Sequence, residues 1–225
     1  MTSIFQQALG DDFARLHPRL QRRFGTGIDS GEACVGRGVM DRVWHGPGWV
    51  RPFLALGGSR NILVPEAGRN IPFTIENVPY RDSHGRETVT FVRSFAFPGR
   101  VRRFDATMIY SPERGRIVDY LGTHQHLATD LWPEVDEAGA LVIRSGEHRF
   151  REGRLDVRVP ELIGGDALVR ESYDEAADRF RIQVRVGNRY FGPLFGYEGS
   201  FTAEYTALAR GPRPGLRPVR EEARA

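Results

Sequence analysis

The chain contains no lysine; all 32 of its basic residues are arginine. That excludes Schiff-base chemistry on a side-chain amine and leaves the flat, five-donor guanidinium as its only permanently charged side-chain cation. Cysteine is almost as scarce. The single Cys34 rules out an internal disulfide framework and any multi-cysteine metal site, and it reads as a small buried hydrophobe. No apolar run approaches the roughly 20 residues that span a bilayer, and MTSIFQQALGDDF lacks the basic and apolar regions of a signal peptide. No membrane partner is therefore expected, and a cytoplasmic location follows as the default.

Other absences narrow the chemistry. GTGIDSG and LGGSRN match neither the dinucleotide nor the Walker pattern, and no G-x-S-x-G elbow is present. Basic residues outnumber acidic ones only by 32 to 29, and the arginines alternate with Asp and Glu along nearly every segment. Without a long basic block outside the tail, no nucleic-acid partner is expected.

What the chain does have is a strand period. The stretch Glu87–Leu131 holds three extended runs, ETVTFVRSFAF, VRRFDATMIY and RIVDYLGTHQHLATDL, joined by PGR and SPERG. ALVRESYDEAADRFRIQVRV reads as a hairpin, with Phe180, Ile182, Val184 and Val186 alternating against Arg181, Gln183 and Arg185. FGYEGSFTAEYTAL places Phe195, Tyr197, Phe201, Ala203 and Tyr205 on one face. The whole predicts a mainly β chain, an antiparallel β-barrel or split barrel of roughly nine to eleven strands behind an N-terminal helical segment. Residues 1–207 form its single barrel-like domain. Residues 208–225, rich in Pro and Arg with little to bury, are expected to be a disordered tail.

Charges that interrupt apolar stripes mark the candidate site. Val89, Phe91, Arg93, Phe95 and Phe97 share a face, as do Ala167, Val169, Glu171 and Tyr173. If those faces are buried, Arg93 and Glu171 either pair with each other or serve a ligand, because an unpaired buried charge costs several kcal/mol or more. The pair His124 and His126 of THQH, read as one strand face together with Tyr120 and Val118, adds imidazoles for hydrogen bonding or proton transfer. An H-x-H pair can begin a metal site, but no third histidine follows in a similar pattern, so no metal is assigned; no redox cofactor is implied either.

The blocks SIFQQALGDDFARLHPRLQRRFG, VPEAGRNIPFTIENVPYRDSHGRETVTFVRSFAFPGRVRRFDATMIY, IVDYLGTHQHL and FGPLFGYEGSF resemble the bacterial DUF4166 family over about residues 3–205. The resemblance implies a domain of unknown function that is sometimes joined to NAD(P)-dependent reductase-like domains, and it carries no catalytic residues across. Two functions follow. In one, the barrel binds a small, partly apolar organic molecule, with Arg93, His124, Tyr120 and Tyr197 as ligand-binding residues. It then either binds without chemistry or acts as an acid-base enzyme of isomerase, cyclase or hydratase type through His126 and Glu171. In the other, the barrel interior is packed solid and the domain is an accessory beside a reductase. A lumen of several hundred Å3 separates the two.

Overall fold

The computed structural model describes residues 2–162, 164–208 and 211–225. Among these, three short α-helices and eleven strands run in the order α1 (Ile4–Leu9), α2 (Pro18–Phe24), β1 (Glu32–His45), α3 (Arg51–Gly58), β2 (Gly68–Arg81), β3 (Glu87–Phe97), β4 (Arg100–Ser111), β5 (Arg116–Leu121), β6 (Leu127–Val135), β7 (Leu141–Glu152), β8 (Leu155–Arg158), β9 (Asp166–Asp174), β10 (Arg179–Asn188) and β11 (Gly192–Ala207). All pairings are antiparallel. The order runs β6-β5-β4-β3-β2-β1-β11-β10-β9-β7, and a β6–β7 pairing closes it into a ten-strand barrel with β8 as an extra strand on β7. Closure removes the exposed edges that an open sheet of this size would present.

Alternation decides what lines the inside. Phe73 and Ile75 of β2, Phe91 and Phe95 of β3, Met108 of β4, Leu131 of β6, Ile143 of β7, Ile182 and Val184 of β10, and Phe195 and Tyr197 of β11 belong to one buried cluster. Phe104 and Met108 of β4 line the inside, so its alternate polar face points outward. There Asp105 accepts from Arg103 at 2.8 Å and from Asn61 at 3.1 Å, while Arg103 donates to the Gly215 carbonyl at 2.6 Å.

The two ends of the barrel differ. Strand β6 begins beside the Thr123 amide, which donates to the Arg60 carbonyl below α3, and ends beside the Gly139 carbonyl, which accepts from His17 ahead of α2. The α1–α2 end is plugged by Ile4, Phe5, Leu20 and Phe24, all buried, with Phe5 and Phe24 ring centroids 4.7 Å apart. Ser3 ties this plug together. It caps α1 through a reciprocal bond pair with Gln6 and donates its hydroxyl to the Phe24 carbonyl at 2.7 Å. His17 caps α2 and Pro18 occupies its first turn. The α3 end is only partly covered, since of that helix Leu54 alone is buried.

Of residues 208–225, expected to be a disordered tail, 209 and 210 lie outside the described residues, and 211–225 lie on the outer wall without regular secondary structure. The expectation counted apolar side chains, and of these, among the described residues, only Leu216 is buried, with Ala33, Val78 and Val92; much of the seat is polar. Arg86 donates to the Glu222 and Ala223 carbonyls at 2.6 and 2.9 Å, and Arg151 to the Arg224 carbonyl at 2.6 Å. Among the described residues no helix is long and apolar enough to cross a membrane.

Candidate functional site

The barrel encloses a cavity of about 770 Å3. Phe24 of the plug forms part of its floor, aromatic and aliphatic side chains from nine strands its wall, and Phe53 and Leu56 of α3 part of its rim. Against this apolar lining stand a few polar groups, among them Arg93, Asp119, Glu171, Tyr197, Thr129 and His148. That is the composition of a small-molecule site: greasy walls with a handful of placed polar atoms.

Arg93 is the central one. On β3 it sits opposite Ile75 and Phe104, only 7% exposed, with its guanidinium 4.9 Å from the Phe104 ring centroid and 5.6 Å from that of Phe91. Its Nε and Nη1 are buried and make no hydrogen bond. Asp119, reaching in from β5, is a compensating charge within the same cavity lining. Burial pushes this carboxyl up to about 7, against the pull of Arg93 and of the Thr107 backbone amide, and its Oδ1 also lacks a partner. The Tyr197 hydroxyl is a fourth orphaned atom; burial raises its pKa while Arg93 draws it down. Three polar side chains of the cavity lining, Arg93 and the two groups within its electrostatic reach, thus keep buried atoms unsatisfied by the protein. Buried polar groups in folded proteins are overwhelmingly satisfied.

Glu171 does not pair with Arg93. Its Oε1 accepts from Nε of Arg23, on α2, at 2.5 Å, and the two side chains are 4% and 1% exposed. Arg23 also donates Nη1 to Cys34 Sγ at 3.1 Å and lies 5.0 Å from the Phe201 ring centroid. Burial works to lower the Arg23 pKa, but the Glu171 carboxylate more than offsets it and leaves the group above its usual range. Cys34, buried beside this pair, has its thiol pushed up by desolvation. Here a helix brought in from the N-terminus completes a strand residue 148 positions away.

Comparison with known proteins agrees with the sequence blocks. A family model described as Domain of unknown function (DUF4166) matches residues 16–201. The chain belongs to the DUF4166 family. Uncharacterized protein YndH of Bacillus subtilis (strain 168) is 33% identical over 204 residues, covering 91% of this chain and 98% of that relative. No solved structure matches.

In this DUF4166 barrel the histidine pair does not lie on a strand. β5 stops at Leu121, Gly122 (φ +73°) and Gln125 (φ 52°) take left-handed conformations, and THQH becomes the turn into β6. A Cβ at Gly122 would stand 2.4 Å from the Arg60 carbonyl oxygen, so glycine is required there. The imidazoles of His124 and His126 stack with centroids 5.7 Å apart, but His126 alone lines the cavity, at its rim, where Nδ1 meets Glu152 at 2.6 Å. His124 bonds Thr123 Oγ1 at 2.8 Å instead and is not part of the lining. Tyr120 faces the other way altogether. It is buried on the outer wall, where its hydroxyl donates to the Arg224 carbonyl at 2.6 Å. Among the described residues no group of three or more His, Cys, Asp or Glu could hold a metal ion.

Asp119, His148 and Thr129 were not singled out by the sequence. His148 Nδ1 meets Thr129 Oγ1 at 2.7 Å, and burial lowers the imidazole's pKa. Asp119 was recoverable: the SPERG turn pairs Met108 with Asp119, and Met108 lies on the apolar face of its run, so Asp119 must point inward with it.

Proposed function

We propose that this DUF4166 protein binds one partly apolar organic molecule inside the barrel, with a carboxylate or carbonyl oxygen of that molecule set against Arg93. The observation that carries the reading is Arg93, a cation in the lining of a cavity of about 770 Å3 with two buried donors that have no acceptor in the protein. A charge-assisted hydrogen bond to an arginine contributes about 1.5–3 kcal/mol, and the aromatic wall provides the apolar contact area. The cavity's size favours this reading over the packed accessory domain working beside a reductase.

The test is thermal unfolding with dodecanoate and 2-tetralone as an apolar acid and an apolar ketone. A saturable rise in Tm with at least one of them, weakened about 10- to 100-fold in apparent Kd in Arg93→Met with the far-UV spectrum unchanged, supports the site. No response of the wild-type protein across a panel of such acids and ketones overturns it.

Asp119 favours a second reading, acid-base catalysis on the bound molecule. A carboxyl whose pKa is pushed up to about 7 can hold or give a proton near neutrality, whereas Glu171 is committed to Arg23 and His126 stands at the rim. In this reading the Asp119 carboxylate takes a proton from the carbon next to a carbonyl held by Arg93. The enolate charge falls on the oxygen facing the guanidinium. Return of the proton from Asp119 to another carbon of the conjugated system completes an isomerisation with no oxidant or reductant. Loss of the NMR signals of the 2-tetralone α-protons in D2O, faster with wild-type protein than with Asp119→Asn, is the expected result. Equal rates in the two proteins would leave binding alone.

A further inference from the structure

The open end of the barrel carries a surface that ligand binding within the cavity does not require. Trp49, just ahead of α3, is 57% exposed, Leu56 on α3 is 73% exposed, and Tyr190 at the β10–β11 turn is 57% exposed. Phe53 and Phe191 beside them are exposed as well. These side chains form one patch, because the Trp49 and Phe191 rings meet edge to face at 5.3 Å and so join the α3 segment to the β10–β11 turn. Phe53 and Leu56 also line the cavity. The greasy surface is therefore continuous with the cavity's rim, whereas at the plugged end Phe5, Leu20 and Phe24 are buried.

Charge is distributed to match. From Arg42 to Pro65 there is no Asp or Glu, while Arg42, Arg51 and Arg60 are present. Arg51 and Arg60 are exposed, and neither has an ion pair among the described residues. Away from the patch arginines are commonly matched with carboxylates, as Arg170 is with Asp136 at 2.8 Å; at its β10–β11 side Arg189, next to Tyr190, is matched with Glu161 at 2.8 Å. Exposed aromatic and aliphatic residues flanked by unpaired cations are the pattern of a surface that lies in the interface of an anionic bilayer, and Trp and Tyr favour that interface because they are apolar with one polar handle.

We propose that Trp49, Phe53, Leu56, Tyr190 and Phe191, flanked by Arg51 and Arg60, dock the open end of the barrel peripherally on an anionic lipid surface. This contact sets the cavity rim against the bilayer, where a partly apolar molecule can pass between lipid and barrel without crossing water. It needs no membrane-spanning segment. The docking stands whatever the cavity holds, since Arg93 takes no part in it.

The test is sedimentation of the full chain with sucrose-loaded vesicles, either phosphatidylcholine alone or phosphatidylcholine with phosphatidylglycerol at about three to one. Wild-type protein is expected to pellet with the anionic vesicles at least 10-fold more strongly than with the neutral ones. High salt is expected to weaken that binding. Trp49→Ser/Leu56→Ser and, separately, Arg51→Gln/Arg60→Gln are each expected to lose most of it. Arg93→Met, an interior change, is expected to pellet like wild type, so a failure of ligand binding leaves this result readable. If the doubly substituted proteins lose their far-UV spectrum, the single change Leu56→Ser, at the most exposed position, takes their place. Wild-type protein that stays in the supernatant with both vesicle types overturns the proposal. So does wild-type protein that forms a concentration-dependent dimer which Trp49→Ser/Leu56→Ser abolishes while vesicles recruit neither protein; the patch then belongs to a second copy of the chain.

Discussion

Arg23 and Arg93 are both sealed among aromatic rings within the same barrel, yet Arg23 gives Nε to the Glu171 carboxylate at 2.5 Å and Nη1 to Cys34, whereas Nε and Nη1 of Arg93 reach no acceptor. The surroundings explain the difference. Arg23 lies where α2 closes on β9, a packed junction in which a cation must be neutralised on the spot. Arg93 faces a cavity, with Asp119 as a counter-charge whose proton is not fully lost near neutrality. One arginine is therefore part of how the plug is fastened. The other is left incompletely solvated by the protein, which is what a site needs if binding is to supply the missing partner.

The largest effect expected from this contrast is at Glu171. Glu171→Gln keeps the shape of the side chain but leaves the Arg23 charge buried without a counter-ion, and breaking one side of such a pair costs about 3–5 kcal/mol. Urea unfolding measures it. A loss under about 1 kcal/mol would mean that the two arginines are not held differently after all. Replacing both partners, as in Arg23→Met/Glu171→Leu, is expected to recover most of the loss, because an apolar pair of similar volume has no charge to strand.

Next in size is a pH dependence at Asp119. Its folded-state pKa is raised from 3.8 to about 7, so between those values the native protein keeps a proton that the unfolded chain has released. The stability this contributes is fully present below about pH 3.8 and is lost as pH rises through about 7. At roughly 1.4 kcal/mol per pH interval of difference, its upper bound is about 4 kcal/mol. Unfolding free energies at pH 5 and pH 8 should therefore differ more in wild type than in Asp119→Asn, with wild type losing stability at the higher pH. Equal pH dependence in the two proteins would place Asp119 in a wetter setting and weaken the contrast with Glu171.

Much of this arrangement is legible in the amino-acid sequence itself. Strict alternation in β10, with Phe180, Ile182, Val184 and Val186 inside, and the break of the β3 stripe at Arg93 give the barrel and its central cation. The pairing of Glu171 was not legible, because its partner comes from a helix 148 residues away and no local pattern links Arg23 to a strand. Tyr120 misled for a different reason. Most barrels have a wet outer wall, but here residues 211–225 cover part of it, so Val118 and Tyr120 outside are as buried as Ile117 inside, and apolar character alone cannot tell which face of β5 looks inward. The histidines were misread because Gly122 and Gln125 bend the chain out of the strand phase that would have aligned them with Tyr120.

The smallest stability change is expected at Arg93, and its smallness is what makes it informative. Arg93→Met removes a buried cation that has no hydrogen-bonded acceptor on Nε or Nη1. Relief of its desolvation and loss of its cation–π attraction to Phe104 and Phe91 oppose each other, each on the order of 1–2 kcal/mol. Met can keep some of the packing on those rings. The unfolding free energy should then move by less than about 1 kcal/mol in either direction at pH 5, where Asp119 stays protonated and is not stranded by the removal of its counter-charge. At pH 8 the same variant should be less stable relative to wild type than at pH 5, because an ionised Asp119 then has no guanidinium beside it. A loss of about 3 kcal/mol or more at pH 5, like that expected of Glu171→Gln, would show Arg93 to be a structural cation of the Arg23 kind and would remove the physical basis for an oxygen-binding site in the cavity.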